Sequence, residues 1–363
     1  MNLTEIIEGK TRLLVPKYRK LSKKNLVFFN PEMKLNRDIS VAITGLIKPK
    51  NFCDALAGSG ARGIRIANET NTQVVINDKN PTAHKLMKKN AELNSLGIRI
   101  ENQDAITLLS REKFDFIDID PFGSPVKFID SALSSITNKG ILSVTATDTS
   151  ALCGTYPKAC RRKYDSISLR TGYYNELGLR ILIGYLARSS FRHGKGIKPL
   201  FSHCTRHYLR TYLKIYKSNS RANENLKNIA FIKHCFNCLN REFSDIENLT
   251  GNCNCGHKFR IAGPLWTGEF ADEKICDKLM SNTDNRKALN MVGLIKGEQK
   301  IKIPYYDIHK IFKKLKIPAL PMEEIESRLK ERYFIFSRTH FTGTGIRTDA
   351  KASDLYNILL HIT

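Results

Sequence analysis

Asp118-Ile119-Asp120-Pro121-Phe122-Gly123 brings an acid, a proline and an aromatic ring together behind the run Phe114-Asp115-Phe116-Ile117. The alternation of that run predicts a buried strand stopped by a turn at Pro121. Such a grouping suits chemistry on a weakly nucleophilic planar amine. The Asp120 carboxylate and the Pro121 carbonyl can accept hydrogen bonds from an NH2 group while the Phe122 ring stacks on its plane, which predicts methylation of an exocyclic nucleobase nitrogen. Guanine's amine has its lone pair delocalised into the ring and needs no full deprotonation to attack a sulfonium methyl. Alignment and electrostatics would then supply most of the rate. Phe28 or Phe29 can close the other face of the base, and a base paired in folded RNA must leave its stack to arrive. Alone, the six residues also describe a surface turn with a helix-capping acid, and Phe28-Phe29 also describes core packing. Asp118 shares a strand face with Asp120 and can perturb its ionisation; no catalytic role is assigned to it.

Gly58-Ser59-Gly60-Ala61-Arg62-Gly63 matches G-x-G-x-x-G between a strand-like segment, Asn51 to Leu56, and the helix-like Ile64 to Ala67. Dinucleotide-binding dehydrogenases share that pattern. Asp54, four residues ahead of Gly58, favours S-adenosyl-L-methionine, because an acid at the first strand's end can meet the charged amino-acid part of that cofactor. Asp78, at the end of a second strand, can accept from ribose hydroxyls of either ligand. Asp104 and Ala105, closing a third, can meet adenine through a carboxylate and a backbone amide. Arg37, Arg62 and Arg65 are candidate partners for the cofactor carboxylate, since a guanidinium fork matches it; a helix-facing salt bridge is the simpler account of any one of them.

These residues need a scaffold, and the pattern supplies one. Apolar strands at Asn51–Leu56, Val74–Ile76, Ile98–Ile100, up to Asp120, and at Ile141–Thr145 alternate with helical segments such as Pro81–Asn94. Alternation implies crossover units and a mainly parallel sheet, with ligands bound beyond the strands' carboxyl ends. Lys198–His203 and Tyr208–Tyr216 can add an antiparallel pair, and the polar stretch Ser218–Asn228 reads as a linker. The fold class expected is α/β: a Rossmann-like class I methyltransferase domain over 1–217, a linker and zinc-ribbon-like module over 218–262, and a smaller C-terminal α/β domain over 263–363.

Lys+Arg 59 against Asp+Glu 35 gives a formal charge of +24, a surplus that fits a polyanionic partner, most commonly nucleic acid. The run Lys10, Arg12, Lys17, Arg19, Lys20, Lys23, Lys24 carries no acid and can serve as a phosphate-contacting arm or simply as a solvated face. No long apolar segment and no signal peptide stand out, so a cytoplasmic protein with no membrane contact and no obligate protein partner is expected. Nine cysteines, an odd number in a long chain, argue against a disulfide framework. Cys235-x-x-Cys238 and Cys253-x-Cys255 suit a closed structural zinc site, with His257 an alternative fourth ligand. Helical spacing at Ile308, Ile311, Phe312, Leu315 and at Met322, Ile325, Leu329, Tyr333, followed by strand-like Phe334–Phe336, fits a winged-helix-like unit. In that unit Lys310, Lys313, Lys314, Lys316 and Arg347 would contact phosphate. Rival readings are a nicotinamide dehydrogenase, a pyrimidine-carbon methyltransferase using Cys153 or Cys160, and a non-enzymatic RNA-binding protein.

At longer range the chain resembles the tRNA (guanine-26-N2)-dimethyltransferases, its archaeal members above all. The resemblance is carried by Phe28-Phe29-Asn30-Pro31-Glu32-Met33 with Asn36-Arg37-Asp38, by Asp54 to Arg65, and by Asp118 to Pro125. It continues through Val144 to Asp148, Leu152-Cys153-Gly154, Pro157 to Cys160 and Arg162-Lys163-Tyr164. Gly263-Pro264-Leu265-Trp266, Arg338 to Phe341 and Gly345 to Ala350 complete it. The resemblance implies transfer of one and then a second methyl group from S-adenosyl-L-methionine to N2 of guanine 26 in tRNA. It implies Asp120 as the catalytic acid residue, and Arg37, Asp78, Asp104, Ala105 and Arg62 or Arg65 as cofactor contacts.

Overall fold

The computed structural model describes residues 2–17, 25–283 and 285–360. A hairpin of β1 (Leu3–Glu8) and β2 (Thr11–Pro16) precedes α1 (Lys34–Ile47). Strands and helices then alternate: β3 (Asn51–Asp54), α2 (Ala61–Glu69), β4 (Gln73–Asn77), α3 (Pro81–Leu93), β5 (Arg99–Glu101), α4 (Ala105–Arg111), β6 (Phe114–Ile119), α5 (Val126–Ser135) and β7 (Ile136–Ala146). Each helix returns the chain for a parallel pairing, which a parallel connection of this length requires. Two short helices, α6 (Thr149–Leu152) and α7 (Pro157–Tyr164), and the buried α8 (Tyr174–Arg192) lead to the antiparallel pair β8 (Lys195–Thr205) and β9 (Tyr208–Lys217). The resulting seven-stranded sheet has the order β5-β4-β3-β6-β7-β9-β8, so the expected closing pair is present. Phe52, Val74, Ile76, Phe116, Ile117 and Ile119 are all buried, as a sheet covered on both faces demands. Asp54, Asp78, Asp104 and Asp120 therefore stand along one edge, at or just past the strands' carboxyl ends.

Beyond the sheet the organisation differs from expectation in three places. The supposed linker contains α9 (Asn219–Leu226), capped by the Ser218 hydroxyl accepting from Arg221 N. The helix docks on β8, where Asn225 Oδ1 accepts from Ile197 N at 2.7 Å. Its polarity reflects a solvated face. Next, β10 (Ile229–His234), β11 (Arg241–Ser244) and β12 (Arg260–Trp266) form a sheet ordered β11-β10-β12, so a boundary at 262/263 would fall inside β12. Finally, α10 (Glu273–Ser281) and α11 (Arg286–Glu298) join the large core through Cys276, Leu279, Val292 and Ile295.

A second core starts at Tyr306. It comprises β13 (Tyr306–Asp307), α12 (Ile308–Leu315), α13 (Met322–Glu331), β14 (Ser337–Arg338), β15 (Gly345–Arg347) and α14 (Ala352–Leu359), with the strands ordered β13-β15-β14. Ile308, Ile311, Phe312, Ile325 and Leu329 are buried, as their spacing predicts, but Tyr333 is 96% exposed. The strand expected at Phe334–Phe336 begins instead at Ser337, because the chain first turns through Tyr333 at φ 64°. No described helix is long and apolar enough to cross a membrane.

Candidate active site

One cavity of about 550 Å³ opens beyond the carboxyl ends of β3, β4 and β6. Its wall is made by the glycine loop, by Asp54 and Asp78, by Asp120-Pro121-Phe122, and by the segment from Asn25 to Asn30. The loop can take this shape because Gly58 and Gly60 adopt positive φ, 54° and 78°, which costs a residue without Cβ little. Gly63 lets α2 approach β4: a Cβ there would sit 2.1 Å from Ile76 Cγ2. Asp78 is fixed by two backbone donors, Gly58 N at 2.8 Å and Asn80 N at 2.9 Å. The Asn25–Asn30 segment is pinned across the loop by Ser59 N to Phe28 O and by Asn80 Nδ2 to Leu26 O. Phe28, half-buried, meets the 46% exposed Phe122 edge-on, with ring centroids 4.1 Å apart. Phe29 is buried beneath the Arg37 guanidinium. The turn after Asp120 is clamped by a reciprocal pair, Gly123 N to Thr147 Oγ1 and Thr147 N to Gly123 O.

A charge cluster lies behind this wall. Arg62 reaches Asp118 Oδ2 through Nε at 2.8 Å, Asn36 and Ser40 through Nη1, and Asp120 Oδ2 through Nη2. Arg210, fully buried on β9, pairs with Asp118 Oδ1 at 2.5 Å and donates to Thr145 Oγ1. Burial alone would raise the Asp118 carboxyl, but Arg210 and Arg62 outweigh it and hold it below its ordinary range. Asp54 goes the other way: burial and the neighbouring Asp118 charge push it up to about 7, against the pull of Arg62. Asp120 lines the cavity, and its Oδ2 is the oxygen that Arg62 holds.

Of the expected cofactor contacts, Arg37, Asp54, Gly58, Arg62 and Asp78 line the cavity; Arg65, Asp104 and Ala105 do not. Arg65 is held by Asp38, Glu69 and Glu8. Asp104 caps α4 by accepting from Ile106 N at 2.8 Å, and Ala105 is buried. Arg37, although in the wall, forms a bidentate pair with the buried Glu8 of β1 at 2.7 and 2.5 Å. Sequence reasoning missed Glu8 and Arg210. An arginine in the middle of the apolar β9 was a usable signal, since a buried charge requires a partner. Cys153 and Cys160 lie outside the cavity wall, and burial raises their thiols to about 12 and about 11.

Arg347 corrects another expectation. Fully buried, it is held by Glu176 of α8, by Glu298 of α11 at 2.9 Å, and by the carbonyls of Ile301 and Ile303. It cannot contact phosphate. Glu298 also accepts from Thr339 Oγ1, and from His340 through N and Nδ1. His340 Nε2 accepts from Cys204 N, which fixes the tautomer with Nδ1–H toward Glu298. Of the N-terminal basic run, Lys10, Arg12 and Lys17 are described, with Arg12 on β2 paired to Glu5; Arg19, Lys20, Lys23 and Lys24 lie outside the described residues.

The sulfurs of Cys235, Cys238, Cys253 and Cys255 all lie within 4.8 Å of one another. Zinc held tetrahedrally by thiolates at roughly 2.3 Å would space them about 3.8 Å apart, so the four residues fit a closed site. His257 stands beside Cys255 with Nδ1 at 3.7 Å from Sγ, outside that group.

The family model described as N2,N2-dimethylguanosine tRNA methyltransferase matches residues 9–360. A tRNA (guanine(26)-N(2))-dimethyltransferase from Methanosphaera stadtmanae is 39% identical, covering 99% of this chain and 97% of that relative. The one from Methanothermobacter thermautotrophicus is 40% identical, covering 97% of each. The structure of Trm1 from Pyrococcus horikoshii with S-adenosyl-L-methionine superposes with a TM-score of 0.88 at 36% identity, covering 98% of this chain and 99% of that one. This chain belongs to the N2,N2-dimethylguanosine tRNA methyltransferase family.

Proposed function

We propose that the cavity beyond β3, β4 and β6 is where a tRNA guanine meets its methyl donor, with Asp120 as the residue that aligns the amine. The enzyme transfers methyl groups from S-adenosyl-L-methionine to N2 of guanine 26 in tRNA, giving N2,N2-dimethylguanosine. The observation that carries the reading is that the glycine loop, Asp54, Asp78 and the Asp120-Pro121-Phe122 turn face one and the same cavity.

The bent glycine loop and the pre-set Asp78 carboxylate fit a nucleoside, and Asp54 fits an ammonium group. We therefore assign cofactor binding to Asp54, Gly58 and Asp78, with Arg37 in the adjoining wall, rather than to Arg65, Asp104 or Ala105. When bound, the cofactor supplies an electrophilic methyl on a positively charged sulfur. Arg62 holds Asp120 Oδ2 and orients that carboxylate, leaving Oδ1 to accept from the guanine NH2 beside the Pro121 carbonyl. Phe28 and Phe122 must part to admit the base between them. Positive charge growing on the amine is met by the Asp120 carboxylate, and the proton departs after the new bond forms. The second methylation needs only one N–H, so a single acceptor still suffices. The four-cysteine group, with zinc, would pin the ends of the β10–β12 sheet and has no part in the chemistry. The C-terminal strand–helix–helix–hairpin–helix order supports a winged-helix-like RNA-binding unit.

The deciding experiment incubates unmodified tRNA with the enzyme and S-adenosyl-L-methionine and analyses the nucleosides by mass. Dimethylguanosine at a single position is expected; methylation of a ring nitrogen or a carbon would overturn the reading. Calorimetry should show S-adenosylhomocysteine binding and no NAD binding.

A further inference from the structure

The turn that carries Asp120 is braced from one side by a basic helix. Thr147 clamps Gly123, and the next residue, Asp148, accepts from Tyr164 OH at 2.6 Å and pairs with Lys163 at 2.9 Å. Both partners belong to α7, and Tyr164 lies near Ser124 of the cavity wall. On α7, Lys158, Arg161 and Arg162 are exposed, at the spacing that shares one helical face. Tyr156, just before the helix, is 62% exposed. Among the described residues no carboxylate pairs with these three cations, although many other cations of this chain are paired. A face kept only for solubility has no reason to exclude acids, whereas a face that meets phosphate does.

The cationic surface does not stop at α7. Gly154, after α6, packs tightly on the backbone of Leu169 and Arg170. The exposed Arg170 stacks 3.5 Å above the Tyr174 ring, and Lys310 of α12 approaches the same ring at 5.9 Å. Gly172 lies against the Lys310 side chain. This chain of contacts links the cavity to the second core without a gap.

We propose that Tyr156, Lys158, Arg161, Arg162, Arg170 and Lys310 form one track for the sugar–phosphate backbone of the tRNA, from the cavity rim to the C-terminal unit. The assignment rests on the function proposed above. Its test is K158E/R161E/R162E in the full-length enzyme, compared with K48E/K50E/K139E, an equal change of charge on exposed lysines at the opposite, amino-terminal end of the strands. The α7 variant should raise KM for tRNA at least tenfold, with kcat at saturating tRNA within about twofold and unchanged affinity for S-adenosylhomocysteine. The slope of log affinity against log salt should fall by about two, since each lost phosphate contact removes roughly 0.7–0.9. The milder K158Q/R161Q/R162Q should show a smaller effect in the same direction and covers any misfolding of the first variant. Equal rises in KM for the two charge reversals, or no rise for α7, would overturn the track. Absence of dimethylguanosine with the unaltered enzyme would instead overturn the function on which it rests.

Discussion

Asp120 lines the cavity with one oxygen tied to Arg62, and the proposed mechanism gives its other oxygen the guanine amine. Asp120→Asn keeps the size of the group but weakens both duties. We expect kcat to fall by about 10²–10³-fold, the usual loss for one pre-aligned electrostatic group, with affinity for S-adenosylhomocysteine nearly unchanged; an intact kcat would remove Asp120 from the mechanism. Cys153→Ala should stay fully active. Asp54 carries a pH prediction. Its carboxyl is raised to about 7, so it is largely protonated at pH 6 and ionised at pH 8, and only the ionised form attracts an ammonium group. Binding of S-adenosylhomocysteine should strengthen by up to about tenfold across that window, and Asp54→Asn should flatten the profile. At this scale the sequence was most legible where function and strand ends coincide: Asp54, Asp78 and Asp120 all reach the cavity. Arg37 and Arg65 were harder to read, because their partners, Glu8 and Glu69 among them, meet them only in the folded chain. Nothing local distinguishes a ligand-binding arginine from one already taken.

Elements explain why those side chains stay in register. Gly63 allows α2 to sit on β4, so Gly63→Ala should cost about 1–3 kcal/mol as an overpacked contact, read as a lower melting temperature. A variant as stable as the parent would show that α2 can shift freely. The metal site can be checked as directly. The purified protein should hold one zinc ion, and Cys253→Ser should lose it while keeping the seven-stranded sheet. Hydrophobic periodicity made the alternating strands and helices readable, since each must bury one face. It failed for α9, whose polar exposed face resembles a linker, and for the β1–β2 hairpin, half of which lies in a basic run. The edge of β12 was invisible because a sheet of three short strands draws its partners from distant segments.

The whole molecule is held together by a buried ion cluster that reaches from α8 through α11 to β15. Burial would raise Glu298, but His340 and Arg347 hold it down to about 2. Its contribution to stability is therefore complete above the ordinary glutamate value near 4.5 and is lost as the pH falls toward about 2. Glu298→Gln leaves Arg347 and His340 short of a partner, and we expect a loss of about 3–5 kcal/mol, measured by denaturant unfolding; a loss below about 1 kcal/mol would show the cluster to be dispensable. Such a cluster has little give, because small displacements of paired buried charges are costly. The interval from the methylation cavity to the C-terminal helices is thus set like the jaws of a locked caliper. On the track proposed above, such an enzyme would find its target by measuring along the RNA: one base pair inserted between the two proposed contact regions should silence the usual guanine or pass the mark to its neighbour.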